Sequence, residues 1–395
     1  MNARARTVLA TALVLGIATG AAGPALASAP RAAATTPAYS APDAEALTAA
    51  IAGLPDASAT AALVRISGSD GRWRGSSGVH DLTSGRRADP DARFRAGSVT
   101  KVFTAATVLQ LAAEKKVDLD RPVRGYLPDL IPVAYEKVTV RQLLNHTSGL
   151  PSPGFPGTTV EEWYANRFHV FSPREMVADA TAKKRLFPAG TQQNYSNIGY
   201  TVAGLLIERV SGHRYESEVT RRILKPLALH GTSFPGTDPR IHGPHNHGYQ
   251  RMTPDDGSTG LRDVSVWGTT DGWAAGDLIS TTADLERFTK ALFSGRVVRG
   301  PLLEEMFTLP DDSVRDYSTG RPAAFSVGLT SWKLGGRQVW GKSGGRRGYN
   351  SGIGGTRDLS RTLVYSVNST NAKGQDTSKT VMDLIVAAFG KPAAG

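Results

Sequence analysis

The chain has 395 residues, 40% hydrophobic and 21% charged, with a formal net charge of +11 and no cysteine. Apolar residues run along its whole length, which excludes a disordered chain and allows a large buried core. The lack of cysteine excludes disulfides, Cys-ligated zinc and thiol nucleophiles. The only long apolar run is terminal, which excludes a membrane-embedded body. The basic residues are scattered, with no helix-turn-helix, RNA-binding or zinc-finger pattern, so no nucleic-acid partner is expected.

Arg4 and Arg6 precede an apolar stretch from Val8 to Ala22, followed by Ala25-Leu26-Ala27. This is the layout of a secretory signal peptide over 1–27, and it predicts a secreted, extracellular protein with no membrane attachment after cleavage. Folding outside the cytoplasm then rests on the core alone. Residues 28–42, rich in Ala, Pro and Thr, read as a flexible leader. Periodicity predicts a helix over 43–54, a strand over 61–66, a turn at Gly68-Ser69-Asp70-Gly71 and a return strand from Trp73. A helix over 98–116 has Val102, Ala105, Ala106, Leu109 and Ala112 at helical spacing. Val99, Phe103 and Val108 cover the rest, so it is expected to be buried between layers.

Further helices are predicted over 140–145, 161–168, 173–182, 197–210, 282–293 and 378–389, and strands over 325–329, 338–341 and 362–368. No internal repeat is visible. The ends are β-rich and the middle helical. This predicts one α/β (α+β) sheet domain from 43–120 and 270–392, with a mostly helical domain, 121–269, inserted between.

Three short patterns carry chemistry. Ser98-Val99-Thr100-Lys101 places a hydroxyl and an amine at i and i+3 on one helix face, at the end where free N–H groups stabilise negative charge. A serine nucleophile needs a base. Lysine serves only if its environment depresses its pKa, since about 0.04% of an ordinary lysine is neutral at pH 7. Spacing alone equally allows an N-cap serine and a surface lysine. Tyr195-Ser196-Asn197 follows a Pro/Gly/polar stretch and opens a helix, a position from which side chains reach a cleft. A second Tyr-x-Asn, Tyr164 to Asn166, lies inside a helical run and reads as packing. Lys342-Ser343-Gly344, followed by Gly345, ends a predicted strand. There a lysine supplies positive charge, Ser343 can bind an oxygen, and the glycines let a ligand backbone lie along the edge. A glycine-rich hairpin with an exposed lysine is the plain alternative.

The order Ser98-x-x-Lys101, Tyr195-x-Asn197, Lys342-Ser343-Gly344 resembles the penicillin-recognising serine enzymes, in particular the class C β-lactamase and secreted actinomycete D-alanyl-D-alanine carboxypeptidase branch. Phe94 to Ser98, Val117 to Asp120, Leu143 to Leu150 and Gly190 to Gly199 extend the likeness, which runs from about 43 to 390. The resemblance implies a β-lactamase/transpeptidase-like fold and an acyl-enzyme on Ser98. It also implies general-base duty shared by Lys101 and Tyr195, the latter as phenolate or in a proton relay. Lys342 is implied beside Tyr195, Asn197 holds the substrate amide, and the N–H groups of Ser98 and Gly345 form the oxyanion hole. The implied partners are D-Ala-D-Ala peptides of peptidoglycan and β-lactams, with no cofactor, no metal and a monomeric chain. Related carboxypeptidases carry histidine where this chain has Lys342, and an arginine for the substrate's terminal carboxylate where this chain has Thr330. Lys342, Arg346 or Arg347 are the expected substitutes. Esterase, β-lactamase and D-amino-acid amidase or endopeptidase remain alternatives, as does a non-catalytic wall-binding or β-lactam-sensing protein.

His242, His245 and His247 form H-x-x-H-x-H without an acidic partner at tight spacing and are read as structural. His146 is read as a residue of the fold rather than a triad base. Trp267 and Trp273 are read as packing residues, with a place at the cleft mouth as the alternative.

Overall fold

The computed structural model describes residues 39–253, 259–374 and 378–390. The signal segment and the leader as far as 38 lie outside the described residues. The end of the leader departs from the expected flexibility: Tyr39 sets its ring edge-on against Phe389, centroids 6.3 Å apart, and the guanidinium of Arg337 lies over it at 4.0 Å.

The described chain opens with α1 (Ala44–Ala50), β1 (Ala59–Gly68), β2 (Gly71–Gly78), β3 (Phe94–Arg95) and α2 (Thr100–Ala113). The middle carries α3 (Val140–Leu144), α4 (Val160–Ala165), α5 (Pro173–Thr181), β4 (Gln192–Gln193), α6 (Asn197–Ser211), α7 (Tyr215–Val219), β5 (Tyr249–Met252) and β6 (Gly260–Asp263). The last third holds β7 (Ile279–Ser280), α8 (Thr282–Phe293), α9 (Pro301–Glu304), β8 (Arg315–Asp316), β9 (Thr330–Leu334), β10 (Arg337–Arg346), β11 (Tyr349–Gly355), β12 (Thr362–Ser369) and α10 (Lys379–Phe389).

Six strands form one antiparallel sheet in the order β2-β1-β12-β11-β10-β9, assembled from both ends of the chain. β1 is buried on both faces, which matches its nearly continuous apolar sequence. One face is covered by α1 and α10, with Leu47, Leu384 and Phe389 packed on Val64, Val339 and Val367. The other lies under α8 and merges with the core of the helical middle.

α2 runs through that core. Eleven of its residues are buried, and Phe103 stacks on Phe288 of α8 with centroids 3.7 Å apart. Full burial of such a ring is worth about 2–3 kcal/mol, and no polar stripe turns α2 toward solvent, so its position is set from all sides. Local signals set the helix starts. Asp43 caps α1, Thr139 and Gln142 make a capping box on α3, Ser196 caps α6 and Thr281 caps α8. Gly212, left-handed, ends α6.

Three expectations fail in the last third. Residues 325–329 are not a strand; β9 begins at Thr330. β10 does not stop at Gly341 but runs through Lys342-Ser343-Gly344 to Arg346. β11, Tyr-Asn-Ser-Gly-Ile-Gly-Gly, reads locally as turn. Its glycines answer a tertiary demand: a Cβ on Gly352 would fall 2.4 Å from the ring of Tyr365 on the neighbouring strand.

Candidate active site

Ser98 sits in a single tight turn, Gly97–Val99, between β3 and α2. It caps neither that turn nor α2 through its side chain, so the capping alternative fails. The turn is pressed against β10. Gly97 has φ +51°, and a Cβ there would lie 2.6 Å from Gly345 N; a Cβ on Gly344 would lie 2.0 Å from Ala96 O and 3.0 Å from Ser98 N. Only glycine at both positions permits this approach. Ser351 Oγ donates to Ala96 O at 2.8 Å and locks the contact. The amides of Ser98 and Gly345 therefore lie side by side.

Lys101, the second residue of α2, is wholly buried. Its Nζ donates to Asn197 Oδ1 and to Ala275 O, each at 2.7 Å, and stands 3.4 Å from Ser98 Oγ. Burial holds its pKa well below the lysine range, with the cations of Lys342, Lys373 and Arg346 pushing the same way and Asp277 opposing. A neutral amine has two N–H donors. In that form the bonds to Asn197 and Ala275 take both, and the lone pair is left for the Ser98 hydroxyl.

Tyr195 closes the group. Its ring carries Lys101 Nζ and Lys342 Nζ over it, each 4.8 Å from the centroid. The His146 ring stands 4.6 Å away and Phe325 5.3 Å. Its hydroxyl is buried with no hydrogen-bond partner among the described residues. Burial drives its pKa up, and the neighbouring Ser98 hydroxyl, short of hydrogen-bonding geometry, offsets this only in part. Of the two forms expected, phenolate or proton relay, burial favours a phenol that keeps its proton, which suits the relay.

His146, left-handed at φ +65°, holds Tyr195 from both sides. Its backbone carbonyl accepts from Asn194 N at 2.9 Å and its Nδ1 from Ser196 N at 3.0 Å. Burial, aided by Lys101 and Lys342, keeps the imidazole neutral.

Lys342 lies in mid-strand and is 5% exposed, so the exposed-hairpin alternative fails as well. Its Nζ donates to Ser343 O at 2.8 Å, and burial, then the charge of Lys373, brings its pKa down to about 7.

Two clefts meet at Ser98. One, about 130 Å³, is lined by Asn197, Phe155, Trp163, Trp267 and Arg347 among others. The second, about 510 Å³, is lined by Tyr195, Thr330, Trp332, Lys342, Ser343 and Gly344. Gly345 and Lys373 belong to both. Arg346 and Arg347 line the first cleft and not the one holding Thr330, so they do not replace the arginine expected there. Arg346 is taken up in a two-pronged pair with Asp271, at 2.9 and 2.5 Å. Asp271, Lys373 and the Ala275 carbonyl escaped the sequence reading because no local pattern marks them.

The remaining signals settle elsewhere. Tyr164 packs on Trp267 at 5.9 Å, and Asn166 bonds carbonyls of its own segment. Trp267 lines a cleft, whereas Trp273 is in the core with Nε1 donating to Glu216. His242 pairs with Asp238, four residues before it, at 2.7 Å, a close acidic partner the sequence reading missed, and His247 pairs with the distant Asp263 at 2.6 Å.

A serine beside a buried amine of depressed pKa, a buried phenol and paired backbone amides can make and break an acyl ester. The comparisons agree. The family model described as Beta-lactamase matches residues 45–387. A D-stereospecific amidohydrolase from Streptomyces sp. is 33% identical with a TM-score of 0.75, over 88% of this chain and 99% of that one. The fold is shared with D-amino acid amidase from Ochrobactrum anthropi SV3, at 24% identity and TM-score 0.70, over 87% and 97% of the two chains. Protein flp of Staphylococcus aureus is 29% identical over 220 residues, 54% of this chain and 41% of that protein, so the chain spans well under half the length of this curated relative. The chain belongs to the beta-lactamase family, the β-lactamase/transpeptidase-like serine hydrolases.

Proposed function

We propose that the protein cleaves the amide bond after a D-configured residue through an acyl-enzyme on Ser98, as a D-alanyl-D-alanine carboxypeptidase acting outside the cell on peptidoglycan peptides. The observation that carries the chemistry is Lys101 Nζ, buried, with both N–H groups engaged and 3.4 Å from Ser98 Oγ. Ser98 Oγ attacks the carbonyl and its proton passes to Lys101. The oxyanion forms against the N–H groups of Ser98 and Gly345, each donor being worth about 3–4 kcal/mol in comparable sites. Tyr195, still protonated, gives its proton to the leaving nitrogen and is reprotonated from Lys101. One proton has then moved from serine to amine, and water releases the acyl group by the reverse path.

The proton donor must touch the leaving nitrogen, so the cleft holding Tyr195 takes the leaving group and the cleft behind Asn197 takes the acyl part. Lys373, Lys342 and Ser343 are the groups on the leaving side that suit a terminal carboxylate.

A second reading, D-amino-acid amidase or esterase with a neutral leaving group, is favoured by Thr330 in place of an arginine and by the likeness to the Streptomyces amidohydrolase. The two are separated by comparing D-alanine release from diacetyl-Lys-D-Ala-D-Ala with hydrolysis of D-phenylalanine amide. Benzylpenicillin followed by peptide mapping tests the nucleophile: an adduct on any residue but Ser98 overturns the mechanism.

A further inference from the structure

We propose that the acyl-side cleft is anion-selective: it takes an N-acylated D-residue whose acyl chain bears a carboxylate, and it disfavours a free ammonium there. The proposal deepens the function proposed above and rests on its assignment of the acyl side.

The cleft wall carries four cationic side chains, Arg95, Arg346, Arg347 and Lys373, against one carboxylate, Asp271. That carboxylate is spent on Arg346. Arg95, 2% exposed beneath the floor, bonds only the carbonyls of Pro239 and Ser265; its Nε and Nη1 have no acceptor among the described residues. Lys373, exposed at the junction of the clefts, has no ion-pair or hydrogen-bond partner among them. Arg347 lies over Trp163 and Trp267 at 5.9 and 6.0 Å, so its planar guanidinium is held by indoles rather than by an acid.

Nearby acids do not cancel this field. Glu161 acts on Arg347 from outside the cleft, with Oε1 accepting from Thr253 N at 2.6 Å. Asp277 is buried, and burial lifts its pKa to about 8, so it is largely protonated at neutral pH. Asp271 and, at Arg95, Asp238 offset part of this charge, and the cleft combines aromatic walls, which suit a short hydrocarbon chain, with a net positive potential at low dielectric. A planar guanidinium beside such a chain matches a carboxylate at its end.

The test uses three acyl groups of similar length on D-alanine: glutaryl, pentanoyl and 4-aminobutanoyl. kcat/KM is measured for their D-alanyl thiobenzyl esters with the native sequence, and Kd for the corresponding D-alaninamides with Ser98→Ala. The expected order is glutaryl, pentanoyl, 4-aminobutanoyl, with at least about tenfold between the extremes and a smaller spread in molar salt. Arg347→Gln and Lys373→Gln should each lower the glutaryl-to-pentanoyl ratio. An equal or reversed binding order, or a ratio that neither variant moves, overturns the inference. No turnover of any ester with the binding order intact overturns the acyl-transfer mechanism instead and supports the anion-selective cleft.

Discussion

The side-chain oxygen of Asn197 accepts a hydrogen bond from Lys101 Nζ at 2.7 Å. An uncharged acceptor at that point leaves the amine free to be neutral. Asn197→Asp places a carboxylate there instead, and an opposite charge within such a distance raises an amine's pKa by about 1–3 units. The acid limb of the kcat/KM profile should move up by that amount, and activity on that limb, below its midpoint, should fall about 10- to 1000-fold. An unchanged limb would show that Lys101 is not the group that titrates.

Lys342 makes stability depend on pH. Its folded pKa is about 7 against 10.5 for the ordinary side chain. Between those values the unfolded chain holds the proton and the folded chain does not, so stability rises with pH across that window. In urea unfolding, the native protein should gain on Lys342→Met by about 1 kcal/mol per pH unit between roughly pH 7.5 and 9.5. A flat difference would mean that Lys342 keeps its proton in the fold.

The contact between the serine turn and β10 should tolerate no side chain. Gly97→Ala adds a Cβ 2.6 Å from Gly345 N at a residue with φ +51°. Left-handed strain alone costs about 1–2 kcal/mol, and the amides of Ser98 and Gly345 must part. Penicillin acylation should slow by about 100-fold or more, in line with loss of an oxyanion donor, while the melting temperature drops by only a few degrees. Acylation at the native rate would remove the paired amides from the mechanism.

Asp271 and Arg346 form a pair whose side chains are 19% and 12% exposed. Asp271→Asn leaves the guanidinium without its counter-charge and should cost about 3–5 kcal/mol in urea unfolding. Asp271→Asn combined with Arg346→Met should recover much of that loss. Additive losses in the double variant would show that the pair is not the unit.

Local chemistry carries far in this chain. The i, i+3 spacing of Ser98 and Lys101 states their proximity outright, because helix geometry alone sets it. Ser196 marks the start of α6 and so places Tyr195 and Asn197 at a helix mouth. α8 matches its predicted bounds over 282–293, since one face is apolar and Thr281 caps it. The second half of β10, past Gly341, and β11 were not legible in the same way: their glycines follow from the turn at Gly97 and from Tyr365, partners far away in sequence. Arg346 and Arg347 were visible as cations, but which cleft they face was not.

By itself the sequence determined most of the helices, though not α7 or α9, the strand β1 and the reactive residue types, because periodicity, capping and spacing are properties of neighbouring residues. Only the tertiary structure decided the protonation states and the two sides of the cleft. Whether Lys101 is neutral, whether Tyr195 keeps its proton and which cations lack a counter-charge all depend on burial and on charges brought in from β10 and the segment after β12. Desolvation and Coulomb energy act through space, so no linear pattern records them.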